Sequence, residues 1–494
     1  MNGPSFDAIV IGSGAGGAAA AARLVEGGLS VLLLEKGGEL PTDGSTLDVE
    51  RVVHQGAFLS REPWRDGRGR PLRPEEHFNV GGKTRWYGAA LLRFAAREFD
   101  AEPAYGCRAW PLRAAQLAPY YEEAERRLGV RLVDCEPGLA RIRDSLLRPG
   151  RGWQASPLPL GLAPAILDHP HEASHFDGFA SVLQLKRDAD TAFLAGLRSH
   201  PGLRLETGAE VVELLGAPDD PLRITGVRLG DGRCFAGRRV LLAAGALHSP
   251  RLLARYLGTH GLDRSLPAAA HVGRHLKLHL LTAMLAVGPR RQRDVLRKTV
   301  VFTHPAHPHS SVQPLGFDGE LMATLVPRPV PRALARAIGT HAYGFFLQTE
   351  EGSDPRNRVV ESGEGPVLDY DPRRQPASLH EHRAFTWRLR RDLARAGLVS
   401  FTQRIGLAGT AHACGTLVAG ADAATSVVDA AGRVHGLRGM YVTDGSVLPR
   451  SSRVNPSLSI YAWALHVATE LLRERTAARA SSPPAALEEN ADAY

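Results

Sequence analysis

The chain has 494 residues, about three times a typical domain, so it can bury a large core and divide into two or three packed units. Hydrophobic residues at 44% and charged residues at 23% exclude a mostly disordered, fibrous or membrane-embedded chain. A formal net charge of +8 raises nucleic acid as a partner, and the distribution of that charge decides the matter below.

The first residues, Met1 to Asp7, carry no basic stretch and no long apolar run, so no secretory signal is expected. The apolar run Ala8 to Ile11 reads as a buried parallel strand, Ala18 to Leu24 as a helix, and Val31 to Leu34 as a second strand. Gly12, Gly14 and Gly17 form GxGxxG at the strand-to-helix turn, where missing side chains let a helix N-terminus approach a pyrophosphate. Glu35 closes the second strand, positioned to accept hydrogen bonds from ribose hydroxyls. The unit predicts an adenine dinucleotide and leaves FAD and NAD open.

A second glycine-punctuated loop runs from Val80 through Gly81, Gly82, Lys83, Thr84 and Arg85 to Tyr87, Gly88 and Ala89; its glycines permit close backbone approach to a ligand. After Trp110-Pro111, the spacing of Leu117, Tyr120, Tyr121, Ala124 and Leu128 predicts a structural helix. Short strands are expected at Leu203 to Glu206, Ala209 to Leu215, Ile224 to Leu229 and Arg239 to Ala244, with a turn at Asp219-Asp220-Pro221. The last strand runs into Gly245-Ala246-Leu247-His248-Ser249-Pro250 and a Leu-rich helix, with His248 read as a loop or packing histidine. Residues 281 to 400 lack glycine fingerprints and read as a substrate-side domain. Within them His304, His307 and His309 alternate with Pro and lack acidic or Cys neighbours, which predicts a surface loop and no metal.

Near the C-terminus come Gly409 to Thr416, containing His412; Met440 to Pro449, containing Asp444; and Val454-Asn455-Pro456-Ser457, followed by an apolar helix to Leu472. His435 and His466 are expected to be structural. The tail from Ala477, rich in Ser and Pro with scattered acids, is expected to be disordered.

Nearly all basic residues are Arg, with Lys only at Lys36, Lys83, Lys186, Lys277 and Lys298. The densest cluster, Arg290, Arg291, Arg293, Arg297 and Lys298, has no interleaved aromatic residues, so no nucleic-acid partner is expected. Cys107, Cys135, Cys234 and Cys414 lack CxxC spacing, which argues against a disulfide framework or zinc site and fits a reducing cytoplasm. No apolar run reaches the roughly 18 residues of a spanning helix, so no membrane association is expected.

Taken together, five segments in order resemble the glucose-methanol-choline (GMC) family of FAD-dependent oxidoreductases. They are the dinucleotide unit, the Gly81-Gly82 loop, the Trp110-Pro111 to Glu122 segment, the Ala244 to Pro250 stretch, and the block from His412 to Asn455-Pro456. The resemblance covers nearly the whole chain and selects FAD over NAD. It implies an α/β fold, with a Rossmann-like FAD-binding domain and an inserted α+β substrate domain. The implied division assigns 5–100, 196–280 and 405–475 to the FAD-binding domain, 101–195 to a cap, 281–404 to the substrate domain and 476–494 to a disordered tail.

Carried onto this sequence, the resemblance gives Gly12, Gly14 and Gly17 to the pyrophosphate and Glu35 to the ribose. It gives Gly81, Gly82, Thr84, Gly88 and Ala89 to the flavin-lining loop, and Val211, with Val212 as the alternative, to adenine. Asp444 falls near the pyrophosphate and ribityl chain, and Pro456 beside the flavin ring. It places His412 and Asn455 side by side over the reactive flavin nitrogen. Imidazole can accept the alcohol proton near neutral pH and an amide cannot, so His412 is the expected base and Asn455 the positioning group. The implied reaction is oxidation of a C–OH group to an aldehyde or ketone, with electrons passing on to oxygen or another carrier. The implied substrate is a small-molecule alcohol, sugar-like or polyhydroxylated, such as an aminoglycoside intermediate. Choline-dehydrogenase-like activity on a small alcohol, or a non-redox lyase or decarboxylase, is the alternative. Some relatives tether flavin through a His in the glycine loop; this loop has none and His77 lies upstream of it, so FAD is expected to bind non-covalently.

Overall fold

The computed structural model describes residues 5–324, 326 and 330–481. A five-stranded parallel sheet stands at its centre, in the order Met440–Val442, Val240–Leu242, Ala8–Ile11, Val31–Leu34, Leu203–Glu206. Four of its strands are short and apolar throughout, as expected where both faces are covered, while the edge strand Leu203–Glu206 alternates Leu with Arg204 and Glu206. They come from both ends of the chain and from its middle, so the sheet closes only once distant segments have met. The expected βαβ unit is present, with its helix longer than its apolar pattern, at Ala15–Glu26.

That helix is Ala-rich because it is crowded on two sides. It packs on the sheet and against the long C-terminal helix Ser457–Ser481, with Ala18 through Ala22 fully buried. A Cβ on Gly16 would stand 2.1 Å from the Thr443 carbonyl oxygen, and one on Gly17 would stand 1.8 Å from the Gly12 carbonyl oxygen. The C-terminal helix runs on through Ser481, which corrects the disorder expected from Ala477; residues 482–494 of that expected tail lie outside the described residues.

A four-stranded sheet flanks the first, in the order Ser5–Phe6, Cys234–Gly237, Asp220–Leu229, Val211–Ala217. Here the turn is tighter than the sequence suggests. Asp220 and Pro221 belong to the strand, because Ala217 already pairs with Asp220 and leaves only two residues between.

The second architectural unit is a six-stranded antiparallel sheet, in the order Val399–Arg404, Leu280–Val287, Ala342–Thr349, His307–Pro314, Val300–His304, Gln154–Pro157. Period-two alternation divides its faces. Met284, Phe302, Val312, Phe345 and Leu347 pack under the helix Pro376–Ala394 through Phe385, Leu389 and Leu393. The opposite face turns Leu281, Gln313 and Phe346 towards the first unit. His304 and His307 pair across a two-residue turn, and His304, His307 and His309 are all buried, so the expected surface loop is a buried hairpin. Local Pro content misled there, because the hairpin's partners are supplied by distant residues. The fold is therefore α/β, a Rossmann-like domain joined to an α+β unit. No helix among the described residues is long and apolar enough to cross a membrane.

Candidate active site

Between the two units lies a cavity of about 490 Å³. Gly12, Gly14, Glu35, Val211, Val212 and Asp444 line it, together with Gly82, Thr84 and Gly88 from the second glycine loop. His412, Asn455 and Pro456 share the same wall. Gly17, Gly81 and Ala89 do not reach it. Gly17 instead lets the helix approach the Gly12 carbonyl, and Gly81, at φ +86°, donates its N–H to Ser13 Oγ at 3.0 Å.

The glycines divide by what surrounds them. A Cβ on Gly12, at φ +100°, would meet the Ala243 carbonyl oxygen at 2.5 Å, so this position needs glycine for the fold itself. A Cβ on Gly14 would meet no protein atom within 4 Å, which leaves space at the start of the helix Ala15–Glu26. No side chain caps that helix, so its first-turn N–H groups and positive dipole end face the opening. Together, open space and uncapped amides fit a pyrophosphate.

Glu35 is held rigidly. Its carboxylate accepts hydrogen bonds from Ser13 N at 3.0 Å, Ser13 Oγ at 2.6 Å and Gly37 N at 2.9 Å, while burial raises its pKa above the usual range. Asp444 accepts from Gly245 N at 2.8 Å, Ser446 N at 2.9 Å and the hydroxyls of Ser249 and Ser446, and burial likewise raises its pKa. Asp444 thereby joins the segments after Leu242 and Val442, ends of neighbouring parallel strands. A ligand that crosses this sheet edge meets both segments.

His412 and Asn455 come together across 43 residues. Asn455 Nδ2 lies 3.4 Å from His412 Nε2, and Gln313 Nε2 donates to Asn455 Oδ1 at 2.7 Å. Behind His412, its Nδ1 lies 3.1 Å from Nδ1 of His279. Burial first, then the neighbouring His279 ring, which disfavours a second charge beside it, and the positive Lys298 and Lys83, hold the His412 pKa well below that of an ordinary histidine. Its imidazole is therefore neutral at physiological pH. Lys298 pairs with Asp177 at 2.7 Å, and both line the cavity. Lys83 pairs with Glu76 and donates to the Thr410 carbonyl at 2.9 Å, which fastens the glycine loop to the segment carrying His412.

His248 is buried at the cavity wall, 3.9 Å from carboxylate oxygens of Glu62 and Glu76, and burial lowers its pKa. His435 and His466 hydrogen-bond to the Gly420 and Ala430 carbonyls, away from His412. Sequence reasoning missed His279, Gln313, Lys298 and Asp177. Only His279 left a trace, in the alternation of His275, Lys277 and His279 with Leu276 and Leu278.

Two family models described as GMC oxidoreductase match residues 78–281 and 367–464, and a model described as an NAD(P)-binding Rossmann-like domain matches residues 10–58. The chain is 30% identical to the 6'''-hydroxyparomomycin C oxidase of Streptomyces lividus, and 31% identical to the paromamine 6'-oxidase of Streptomyces fradiae. Each alignment covers 96% of this chain and 93% of the relative. Among solved structures, pyridoxine 4-oxidase from Mesorbium loti superposes with a TM-score of 0.60 at 21% identity, covering 94% of this chain and 98% of that one.

Proposed function

The chain belongs to the GMC oxidoreductase family and is an FAD-dependent enzyme that oxidises alcohols; we propose that its substrate is a polyhydroxylated amino-sugar compound, with His412 as base and Asn455 as positioning group. One observation carries the assignment of roles: His412 Nε2 stands at the cavity wall with the amide of Asn455 3.4 Å away. An alcohol oxygen that comes between the two can donate its proton to Nε2, in place of the amide, while it accepts a hydrogen bond from the Asn455 N–H. The hydrogen on the carbinol carbon then leaves with the C–H bonding pair as hydride, while an electron pair of the deprotonated oxygen closes the C=O bond of the product. FAD, when bound, supplies the acceptor for that hydride. Gly12, Gly14, Glu35, Val211 and Asp444 would hold it, with Gly82, Thr84 and Gly88 against it.

The substrate class rests on two supports. Two relatives that align over 96% of this chain are named as oxidases of 6'''-hydroxyparomomycin C and paromamine. The cavity also offers a polyol both donors and acceptors in the paired Lys298 and Asp177, beside the apolar surfaces of Leu281, Leu315 and Phe346. The relatives' names as oxidases support oxygen as the final electron acceptor.

The test is anaerobic mixing of the holoenzyme with paromamine, choline, pyridoxine and benzyl alcohol, following loss of the oxidised flavin absorbance. Paromamine is expected to bleach the flavin fastest. Faster bleaching by choline or pyridoxine would overturn the substrate class, and no bleaching by any of the four would count against the whole reading.

A further inference from the structure

We propose that His279 is a positioning residue that fixes the tautomer of His412, so that the lone pair of Nε2, and not a proton, faces the alcohol. The proposal rests on His412 as the base and adds how that base is kept ready. A neutral imidazole has two tautomers, and only the one protonated at Nδ1 can accept a proton at Nε2. Something behind the ring must choose.

The choice starts at groups that can only accept. Nε2 of His279 lies 2.9 Å from the Ser451 carbonyl oxygen and 2.8 Å from that of Ser452. Both are acceptors, so His279 carries its proton on Nε2. Its Nδ1 is then a lone pair, 3.1 Å from Nδ1 of His412, and that contact is a hydrogen bond only if His412 donates. His412 is thereby protonated at Nδ1 and open at Nε2. At the other end Gln313 donates to Asn455 Oδ1, which turns the Asn455 amide N–H towards His412 Nε2, an acceptor. The four donors, on Gln313, Asn455, His412 and His279, point the same way only if both rings are neutral, and burial lowers the pKa of each.

The surroundings are built to hold this relay. His279 sits at φ +64° and Ser452 at φ +66°, conformations that persist only where neighbours over-determine them. Arg450, buried against Glu350 at 2.7 Å, anchors the segment that supplies the two carbonyls, and Glu350 also accepts from Ser452 N at 3.3 Å. Ser452 Oγ donates to Glu98 at 2.8 Å, and Ser451 Oγ accepts from Glu351 N at 3.0 Å. The charged groups around the pair are Glu350 on the His279 side and Lys298 and Lys83 on the His412 side.

The first test reads the tautomer directly. In ¹⁵N-histidine-labelled holoenzyme near neutral pH, long-range ¹H–¹⁵N spectra compared with those of His412→Ala identify the His412 ring. We expect a pyrrole-type δ1 and a pyridine-type ε2 nitrogen; the reverse pattern would overturn the proposal. The second test uses three variants in anaerobic flavin reduction by the fastest alcohol of the panel above. His279→Leu fills the volume without an acceptor, His279→Gly relieves the positive φ without one, and His279→Asn tolerates the positive φ and restores an acceptor. Leu and Gly are expected to slow reduction about tenfold or more with alcohol affinity within about threefold, and Asn to recover most of the rate. If Asn is no faster than Gly, or if Leu and Gly match the parent, His279 does not set the tautomer. A His412→Ala variant that reduces flavin at the parent rate would instead remove His412 as base and leave the tautomer measurement standing.

Discussion

Gln313 donates through Nε2 to Oδ1 of Asn455 at 2.7 Å, and this one bond decides which end of the Asn455 amide faces His412. Gln313 belongs to the strand His307–Pro314 of the antiparallel sheet, whereas Asn455 precedes the C-terminal helix of the other unit. The contact thus sets the amide of one unit with a side chain of the other. Gln313→Glu is isosteric but offers only acceptors when ionised, so it should turn the Asn455 amide over and present an oxygen to the alcohol. Flavin reduction is expected to fall about tenfold, equivalent to ~1.4 kcal/mol of barrier, with thermal stability within a few degrees of the parent. An unchanged rate would mean that Asn455 orients independently of Gln313.

His412→Ala should slow flavin reduction by about a hundredfold or more while FAD stays bound, the scale of a missing general base. The pH profile follows from the direction of its pKa. The reactive form is neutral and the folded pKa lies below 6.5, so the parent rate should hold on a plateau through neutral pH. It should decline only in acid, as the ring gains a proton. An acid limb centred above pH 6.5 would show that some other group limits the rate.

Two glycines separate cofactor binding from folding. Gly17→Ala places a methyl within 1.8 Å of a backbone oxygen and should destabilise the protein whether or not FAD is present. Gly14→Ala meets no protein atom, and Gly14 at φ −65° and ψ −168° has backbone angles that alanine adopts freely. Its apoprotein should melt within a few degrees of the parent and bind FAD at least tenfold more weakly, because the methyl occupies the space left for the pyrophosphate. Calorimetry of the apoproteins with FAD titration measures both effects. Equal losses of apoprotein stability would contradict the division.

These glycines also show how much of the site the sequence carried. The motif around Gly12, Gly14 and Glu35 was legible because a tight turn, a close approach and a ribose contact each demand a residue type at fixed spacing. His412 and Asn455 were legible through neighbouring segments that match a family in order. The groups behind them were not: His279 and Gln313 act through contacts that only the packed antiparallel sheet creates, and neither has a local spacing that requires it. Gly16, pressed against the Thr443 carbonyl, was hidden for the same reason, since its constraint comes from a segment more than 400 residues away. The buried hairpin of His304 and His307 failed as a surface loop because composition cannot report distant partners.

FAD is expected to leave the protein on denaturation. The glycine loop from Gly81 to Ala89 contains no histidine, and the nearby His77, although it lines the cavity, is stacked on Trp86 and bonded through Nδ1 to the Phe58 carbonyl. Burial brings its pKa down to about 4. After acid precipitation, all yellow colour should appear in the supernatant; flavin retained in the pellet would point to a covalent bond.

Acid should also unfold this protein early, and the sign follows from its buried histidines. Burial brings His275 and His382 down to about 3, and His307 to about 4, from an ordinary value of 6.5. Below pH 6.5 the unfolded chain takes up protons that the folded chain refuses, so stability falls as pH falls, until the folded values are passed. At pH 4.5 the two most shifted and nearly inaccessible rings, His275 and His382, would each contribute a loss on the order of 2–3 kcal/mol. Opposing this are His309, whose pKa Glu350 and Glu102 raise, and buried carboxyls such as Glu35 and Asp444, whose pKa burial raises, since protonation of each favours the folded chain. Glu350, held down to about 2 by Arg450 and His309, keeps its charge in the folded chain across this window, and its own loss begins only near pH 4.5, where the unfolded carboxylate starts to take up protons. Urea midpoints measured from pH 7.5 to 4.5 should fall steadily, and the fall should be smaller in His382→Gln, whose amide does not titrate. A midpoint independent of pH in that window would mean that these rings are protonated in the folded state.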